Sequence, residues 1–253
     1  MSTDARIAET SNDQQARRRP VPDEIMGGRW SDAFLLALEV TSAESIAPHI
    51  RSITVRSPDL IGFEHAPGQD VMFDFRKDER VVRRRYTIRR CDPRNGTAEF
   101  EVEIHPGRGP ATAWALEAAP GSHIDAIGPR GKITLRDGAP SHLFIADDSG
   151  MPAAFAMLEA LPAEISASAV LLTPHGTDSR PVPDRPGALT WLTEAHLSDA
   201  LEPRPDAAVY VLGELGLVRR ARELLAERAF SEDLLAAKAY WRRDQPNAEH
   251  GEP

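Results

Sequence analysis

The chain has 253 residues, a formal net charge of -9 at pH 7, and hydrophobic and charged fractions of 41% and 27%. That length allows one large or two modest domains, and the acidic balance argues against nucleic acid as a partner. A single cysteine, Cys91, excludes an internal disulfide and a cysteine-built zinc or iron–sulfur site.

No apolar run reaches membrane-spanning length and no signal-peptide core is visible, so the expectation is a cytoplasmic protein without membrane insertion. Residues 1–28 are polar, contain Arg17-Arg18-Arg19-Pro20, and predict a disordered tail. From Phe34 the character changes. Phe34 to Thr41 and His49 to Arg56 read as strands, Pro67-Gly68 marks a turn, and Val71, Phe73 and Phe75 alternate behind it.

The next stretch, Val81-Val82-Arg83-Arg84-Arg85-Tyr86-Thr87-Ile88-Arg89-Arg90, is the most distinctive in the chain. As a strand it puts Arg84, Tyr86 and Ile88 on one face and Arg85, Thr87 and Arg89 on the other. A guanidinium two residues before an aromatic ring can fork onto a phosphate while the ring lies against a planar heterocycle. Thr87 adds a hydroxyl that donates and accepts. Together these meet the needs of a bound flavin dinucleotide. The bland alternative is an exposed basic strand protecting a sheet edge.

After a turn at Asp92-Pro93-Arg94-Asn95-Gly96, residues Phe100, Val102 and Ile104 alternate with Glu99, Glu101 and Glu103. His105 and the Gly109-Pro110-Ala111-Thr112 segment follow. Pro110 suits the first turn of a helix, Ala111 to Ala118 is helix-prone, and a glycine loop opening a helix suits phosphate. Pro120-Gly121 and Gly128-Pro129-Arg130-Gly131 bracket two more short strands. The pattern predicts a six-stranded antiparallel β-barrel over 29–138.

Beyond Gly138 the period changes. Leu143-Phe144-Ile145-Ala146, Ala169-Val170-Leu171-Leu172 and Ala207 to Leu212 are continuous apolar runs, as in parallel strands covered on both faces. Helices alternate with them, at Ala153 to Leu161 and after Gly213-Glu214, which predicts a three-layer α/β domain with a mostly parallel sheet over 139–245. Ligands in such sheets sit at the carboxyl ends of strands, here Asp147 and Gly213. No G-x-G-x-x-G occurs there. Tyr240-Trp241-Arg242-Arg243 belongs to a last strand, where the two aromatics could simply cap a core, and 246–253 reads as a flexible tail.

In their order and spacing these pieces resemble the ferredoxin–NADP reductase superfamily. The similarity is greater to one branch, the siderophore-interacting proteins or ferric-siderophore reductases. It is carried by Arg84-Arg85-Tyr86-Thr87-Ile88-Arg89, His105-x-x-x-Gly109-Pro110-Ala111-Thr112-x-Trp114, Gly128-Pro129-x-Gly131, Asp147-Asp148-Ser149-Gly150-Met151-Pro152-Ala153, Gly213-Glu214 and Tyr240-Trp241-Arg242-Arg243. The resemblance implies FAD in the barrel, with Arg84 on the pyrophosphate, Tyr86 on the isoalloxazine, Thr87 near its reactive nitrogen and Ile88 in the same strand. His105 and Gly109, Pro110, Ala111 and Thr112 would take the remaining phosphate and the adenosine side. NAD(P)H would approach over Asp147, Asp148, Ser149, Gly213 and Glu214, with Trp241 beside the flavin.

A ferric siderophore would be the substrate, met by Arg242 and Arg243, with Arg76 or Lys77 as further basic contacts. No catalytic acid or base and no metal ligand is expected. Three departures stand out: Asp148-Ser149-Gly150 where the family has Glu-Thr-Ala, Asp244 where it has Gly, and no basic element near Val71-Met72-Phe73. The rival readings are a flavoenzyme of the same fold that uses ferredoxin or free flavin as acceptor, and a non-catalytic siderophore binder.

Overall fold

A computed structural model describes residues 19–20, 33–77, 80–107, 109–174, 176, 180–183, 188–228 and 230–243. The chain divides into two units, one ending at Lys132 and the other beginning at Ile133. The sequence reading placed this boundary at 138/139.

The first unit contains strands β1 (Arg19–Pro20), β2 (Phe34–Ala47), β3 (Ile50–Arg56), β4 (Asp70–Lys77), β5 (Arg80–Thr87), β6 (Arg90–Asp92), β7 (Thr97–Glu103) and β8 (His123–Arg130). One helix, α1 (Pro110–Glu117), lies between β7 and β8. The ladder runs β5-β4-β8-β2-β3-β7-β6, with antiparallel pairing throughout and β1 paired to β2. The six-stranded barrel expected from the sequence is thus a curled sheet whose ladder passes through seven strands. β1 falls inside the segment expected to be a tail; the rest of 1–28 and all of 246–253 lie outside the described residues.

The reason for the extra strand is local. The alternation in the arginine stretch suggests one strand through Arg90, but β5 ends at Thr87. There the Ile88 N–H donates to Gln69 O (3.0 Å) and the Arg89 N–H donates to Glu99 O (2.9 Å). Two successive residues therefore hand the chain from the β4 side to the β7 side, and both are buried. Arg89 meets Glu101 at 3.2 Å with side-chain exposures of 1% and 4%. Inside the curl, Phe73 packs edge-on to Phe100 at 4.9 Å and stacks on Trp114 of α1 at 6.0 Å, within a core built from alternating residues of β2, β3, β4 and β7.

The second unit contains β9 (Ser141–Asp147), α2 (Met151–Ala160), β10 (Ser166–Leu172), β11 (Ala188–Leu192), β12 (Ala207–Glu214), α3 (Leu215–Glu227) and β13 (Leu235–Trp241). Its sheet runs β11-β10-β9-β12-β13 and every pair is parallel. Phe144, Ala146, Leu171, Tyr210 and Leu212 pack on α2, while Leu143, Ile145, Val170, Val209 and Val211 pack on α3. Buried residues on both faces explain the unbroken apolar runs. In α2, Met151, Pro152, Ala153, Ala154 and Phe155 are all buried; α3 instead buries a single stripe through Leu217, Val218, Ala221, Leu224 and Leu225.

Candidate functional site

In the first unit the β4–β5 hairpin positions the arginine stretch. Its register pairs Lys77 with Arg80 and, counting back, Phe73 with Arg84, Val71 with Tyr86 and Asp70 with Thr87. β5 is an edge strand of the ladder, yet its arginines are not simply solvated. Arg83 Nε donates to Asp74 at 2.9 Å, and Arg85 donates to both oxygens of Asp70, at 2.9 and 2.7 Å. Arg84 is half-buried and its Nη1 donates to the Arg83 carbonyl (2.8 Å).

Tyr86 lies on the core side, 5.7 Å from Phe73 and 6.2 Å from Phe75. Burial pushes its phenol well above the ordinary range, with the Arg84 charge opposing. Thr87 is 5% exposed, and its hydroxyl has no hydrogen-bond partner among the described residues. A buried hydroxyl left unpaired is costly, so this atom is free to take a partner from outside the chain. Ile88 is buried in the core.

The second element is the start of α1. Gly109 is the N-cap and makes no side-chain capping bond, and Pro110 occupies the first turn. The Thr112 hydroxyl accepts from the His105 N–H at 3.4 Å, tying the preceding loop to the helix, while His105 Nδ1 lies 3.5 Å from Glu103. The N–H groups of Ala111 and Thr112 therefore open a helix without a capping side chain, an arrangement suited to phosphate. A cavity of about 550 Å³ runs between this helix and the hairpin, lined by Phe75, Arg76, Val81, Pro110, Ala113 and Trp114 among others. The Thr87 hydroxyl, Arg84 and the open start of α1 are of the kinds that a flavin dinucleotide needs; the cavity adjoins Pro110 of that helix start, and its lining includes neither Arg84 nor Thr87. Arg76 is exposed and lines the cavity; Lys77 ends β4, and its side chain lies outside the described residues.

In the second unit the carboxyl ends of β9 and β12 come together. Asp147 Oδ1 accepts from the Ser149 N–H (2.9 Å), the Ser149 hydroxyl (2.6 Å) and the Gly150 N–H (3.2 Å), and Oδ2 accepts from the Glu214 N–H (2.7 Å). Burial pushes the Asp147 carboxyl up, against these bonds. Gly213, at φ +155°, lies so close that a Cβ would sit 2.6 Å from the carboxylate. Glu214 caps α3, its Oε2 accepting from Gly216 and Leu217, while its Oε1 accepts from the Arg243 N–H at 3.1 Å. Trp241 stands opposite Glu214 in β13, and the Tyr240 hydroxyl is buried without a partner among the described residues. The structure thus gathers Asp147, Ser149, Gly213, Glu214, Trp241 and the Arg243 backbone around one end of the sheet. Arg242 and Arg243 are exposed, and the latter guanidinium is 3.7 Å from Glu194.

Asp148 is different. Its carboxylate is taken by Arg180, a residue of the proline-rich loop whose side chain is fully buried. Sequence reasoning missed Arg180, since one arginine in a loop carries no period. It also missed Asp70 and Arg130; Asp70 was within reach, because a tight hairpin between Lys77 and Arg80 fixes Asp70 opposite Thr87.

Residues 66–133 match the family described as siderophore-interacting FAD-binding domain, and residues 139–244 match the siderophore-interacting protein family. The chain belongs to the siderophore-interacting protein family. It is 26% identical over 241 residues to ferric vibriobactin reductase ViuB of Vibrio cholerae, covering 81% of this chain and 89% of that one. It is 27% identical over 148 residues to the NADPH-dependent ferric-chelate reductase of Escherichia coli, covering 54% and 58%. A siderophore utilization protein from T. fusca superposes with a TM-score of 0.71 at 24% identity, over 86% of this chain and 96% of that one. The family's curled antiparallel sheet and parallel sheet are the fold also seen in the ferredoxin reductase of carbazole 1,9a-dioxygenase, at a TM-score of 0.69 and 18% identity. Among the described residues no helix is long and apolar enough to cross a membrane, and no cluster of His, Cys, Asp or Glu is arranged to hold a metal.

Proposed function

We propose that this protein is an FAD-dependent ferric-siderophore reductase, taking electrons from NAD(P)H and passing them to a ferric siderophore so that iron leaves as Fe(II). The observation that carries the reading is the buried, partnerless Thr87 hydroxyl at the end of the strand bearing Arg84 and Tyr86. It stands within the segment that matches the FAD-binding family.

In this reading Arg84 and the N–H groups of Ala111 and Thr112 hold the pyrophosphate. The cavity beside Trp114 takes the adenosine end, and Thr87 hydrogen-bonds the ring. FAD accepts a hydride and releases electrons one at a time, which links a nicotinamide to ferric iron. In this reading the chain need supply no acid, base or metal ligand. Its part is to hold the ring, exclude water and present nicotinamide at Asp147, Ser149 and Gly213. Hard catecholate or hydroxamate oxygens hold Fe(III) far more tightly than Fe(II), so reduction alone loosens the chelate. Arg242 and Arg243 offer an anionic chelate a basic rim on a protein whose overall charge is -9.

The test is an anaerobic reduction of the FAD-loaded protein by NADH and by NADPH, followed by reoxidation with a panel of ferric chelates. Rapid reoxidation by ferric siderophores supports the assignment. Reoxidation only by ferredoxin or free flavin replaces the acceptor, and an absence of reduction by either nicotinamide turns the protein into a binder.

A further inference from the structure

Three neighbouring strands bring Thr87, Asp70 and Arg130 into one row, Asp70 standing opposite Thr87 in β5 and opposite Arg130 in β8. Opposed residues of antiparallel strands share a face, and Arg85, two residues before Thr87, shares it too. The row is out of water: Asp70 is 0% exposed, Thr87 5% and Arg130 8%. Asp70 accepts both bonds of the Arg85 fork. Burial opposes the charge on Arg130, Arg85 opposes it further, and Asp70 favours it, so all three groups lie within electrostatic reach of one another. Gly131, at φ +102°, presses on the cluster closely enough that a Cβ would sit 3.2 Å from Asp70 Oδ2 and 3.6 Å from Arg85 Nη2.

A guanidinium stays protonated inside proteins, so two arginines and one aspartate leave one excess positive charge. The Asp70–Arg85 fork alone would hold the hairpin as a neutral pair. Arg130 adds a second buried positive charge to the pair, its Nη1 donating to the Met72 sulfur at 2.7 Å, and burial penalises that charge. On the other side of Asp70 in the same row, the Thr87 hydroxyl has no partner among the described residues, which points to a ligand at that end of the row.

We infer that the Asp70–Arg85–Arg130 cluster sets the reduction potential of the flavin held at Thr87, its excess positive charge favouring the reduced form. The inference rests on the flavin reading above and deepens it. A hydride from NAD(P)H brings two electrons and one proton and leaves NAD(P)⁺ behind, so a ring that takes no second proton gains one negative charge. A fixed buried charge beside it stabilises that gain without having to reorganise. Asp70, Arg85 and Arg130 are positioning residues here, acting on the ring through space.

The experiment is a charge series on the FAD-loaded protein, reading the midpoint potential and the affinity for oxidised FAD. Arg130→Met removes the excess charge and should lower affinity for reduced FAD on the order of tenfold relative to oxidised FAD. For a two-electron couple that is a shift of about 30 mV to more negative potential. Asp70→Asn, which adds a net positive charge, should move the potential the other way, and Arg130→Lys should keep it near wild type. The shifts should persist at high salt, because Asp70 and Arg130, the two substituted positions, are buried. Should Arg130→Met fail to fold, the opposite displacement by Asp70→Asn with no displacement by Arg130→Lys still carries the decision. FAD binding with potentials unmoved across the series overturns this inference and leaves the flavin reading standing. A wild-type protein that does not bind FAD overturns the flavin reading itself.

Discussion

Threonine and valine have nearly the same shape, so Thr87→Val subtracts a hydroxyl and little else. The two states of the protein should respond in opposite directions. Without flavin, the Thr87 hydroxyl is buried and partnerless, and such a group costs about 1–3 kcal/mol. Valine removes that cost and keeps high strand propensity, so the flavin-free variant should gain about 1 kcal/mol. For a chain of this size that is about 2–4 °C in melting temperature. With flavin, one hydrogen bond is lost, worth about 0.5–1.5 kcal/mol, which weakens the Kd roughly two- to twelvefold. The assays are thermal unfolding of the flavin-stripped protein and a fluorescence titration with FAD, with Thr87→Ser as the variant that keeps the hydroxyl and the affinity. A valine variant that is less stable when stripped and binds FAD as well as wild type would refute the reasoning, because the hydroxyl would then have a partner inside the fold.

Arg84→Ala should cost FAD affinity about 1.5–3 kcal/mol by removing charge-assisted bonds, read by the same titration, and an unchanged Kd would take Arg84 out of the site. Glu101→Leu leaves Arg89 buried without its carboxylate and should destabilise the first unit by about 3–5 kcal/mol in urea unfolding, while Arg89→Met with Glu101→Leu should recover most of the loss. Gly213→Ala drives a Cβ into the Asp147 carboxylate at positive φ, and should cost more than about 2 kcal/mol with loss of nicotinamide reactivity; wild-type stability would show that the β12 turn yields easily. Burial, helped by the Asp92 carboxylate, raises the Cys91 thiol to about 11, so at pH 8 its thiolate is scarcer by on the order of a hundredfold than in an ordinary cysteine. Alkylation should therefore be slow in the native protein and rapid after denaturation. Arg242→Glu with Arg243→Glu should raise KM for an anionic ferric chelate and flatten its salt dependence while hydride transfer stays normal; chelate reduction unchanged at low salt would remove the basic rim.

What the sequence revealed and what it hid divide along one physical line. Periods of two in Val71, Phe73 and Phe75 and in Phe100 and Val102 are imposed by a sheet with one buried face, and the strands stand where the alternation put them. The unbroken runs at Leu143 and Ala169 exist because α2 and α3 cover both sides of one parallel sheet. Patterns of this kind are local, so they can be read along the chain. Arg89 shows where that reading fails. Alternation assigns it to the face of Arg85, yet the backbone changes partner between Ile88 and Arg89, and both side chains turn inward. Nothing in the stretch itself announces the switch, because its cause is Glu99 and Gln69, each belonging to a different part of the ladder.

The same distinction applies to the site. Arg84, Tyr86 and Thr87 stand out in the sequence because a flavin site would need a clamp, a ring surface and a hydroxyl within one strand. The groups that tune such a site are legible only through pairing. Asp70 looked like the residue after a Pro-Gly turn, and Arg130 like part of a second one. Register places Asp70 opposite Thr87 and Arg130 opposite Asp70 on the next strand, and both are buried. Arg180 is the extreme case, a loop residue that fixes Asp148 from 32 positions away. The motif names the atoms that would touch the cofactor, whereas its electrical setting, on the inference above, would come from residues that only the folded sheet brings together. A relative that kept Arg84-x-Tyr86-Thr87 but replaced Arg130 by a neutral residue would therefore be expected to bind the same flavin at a lower potential. Its reach would be confined to ferric chelates that are easier to reduce.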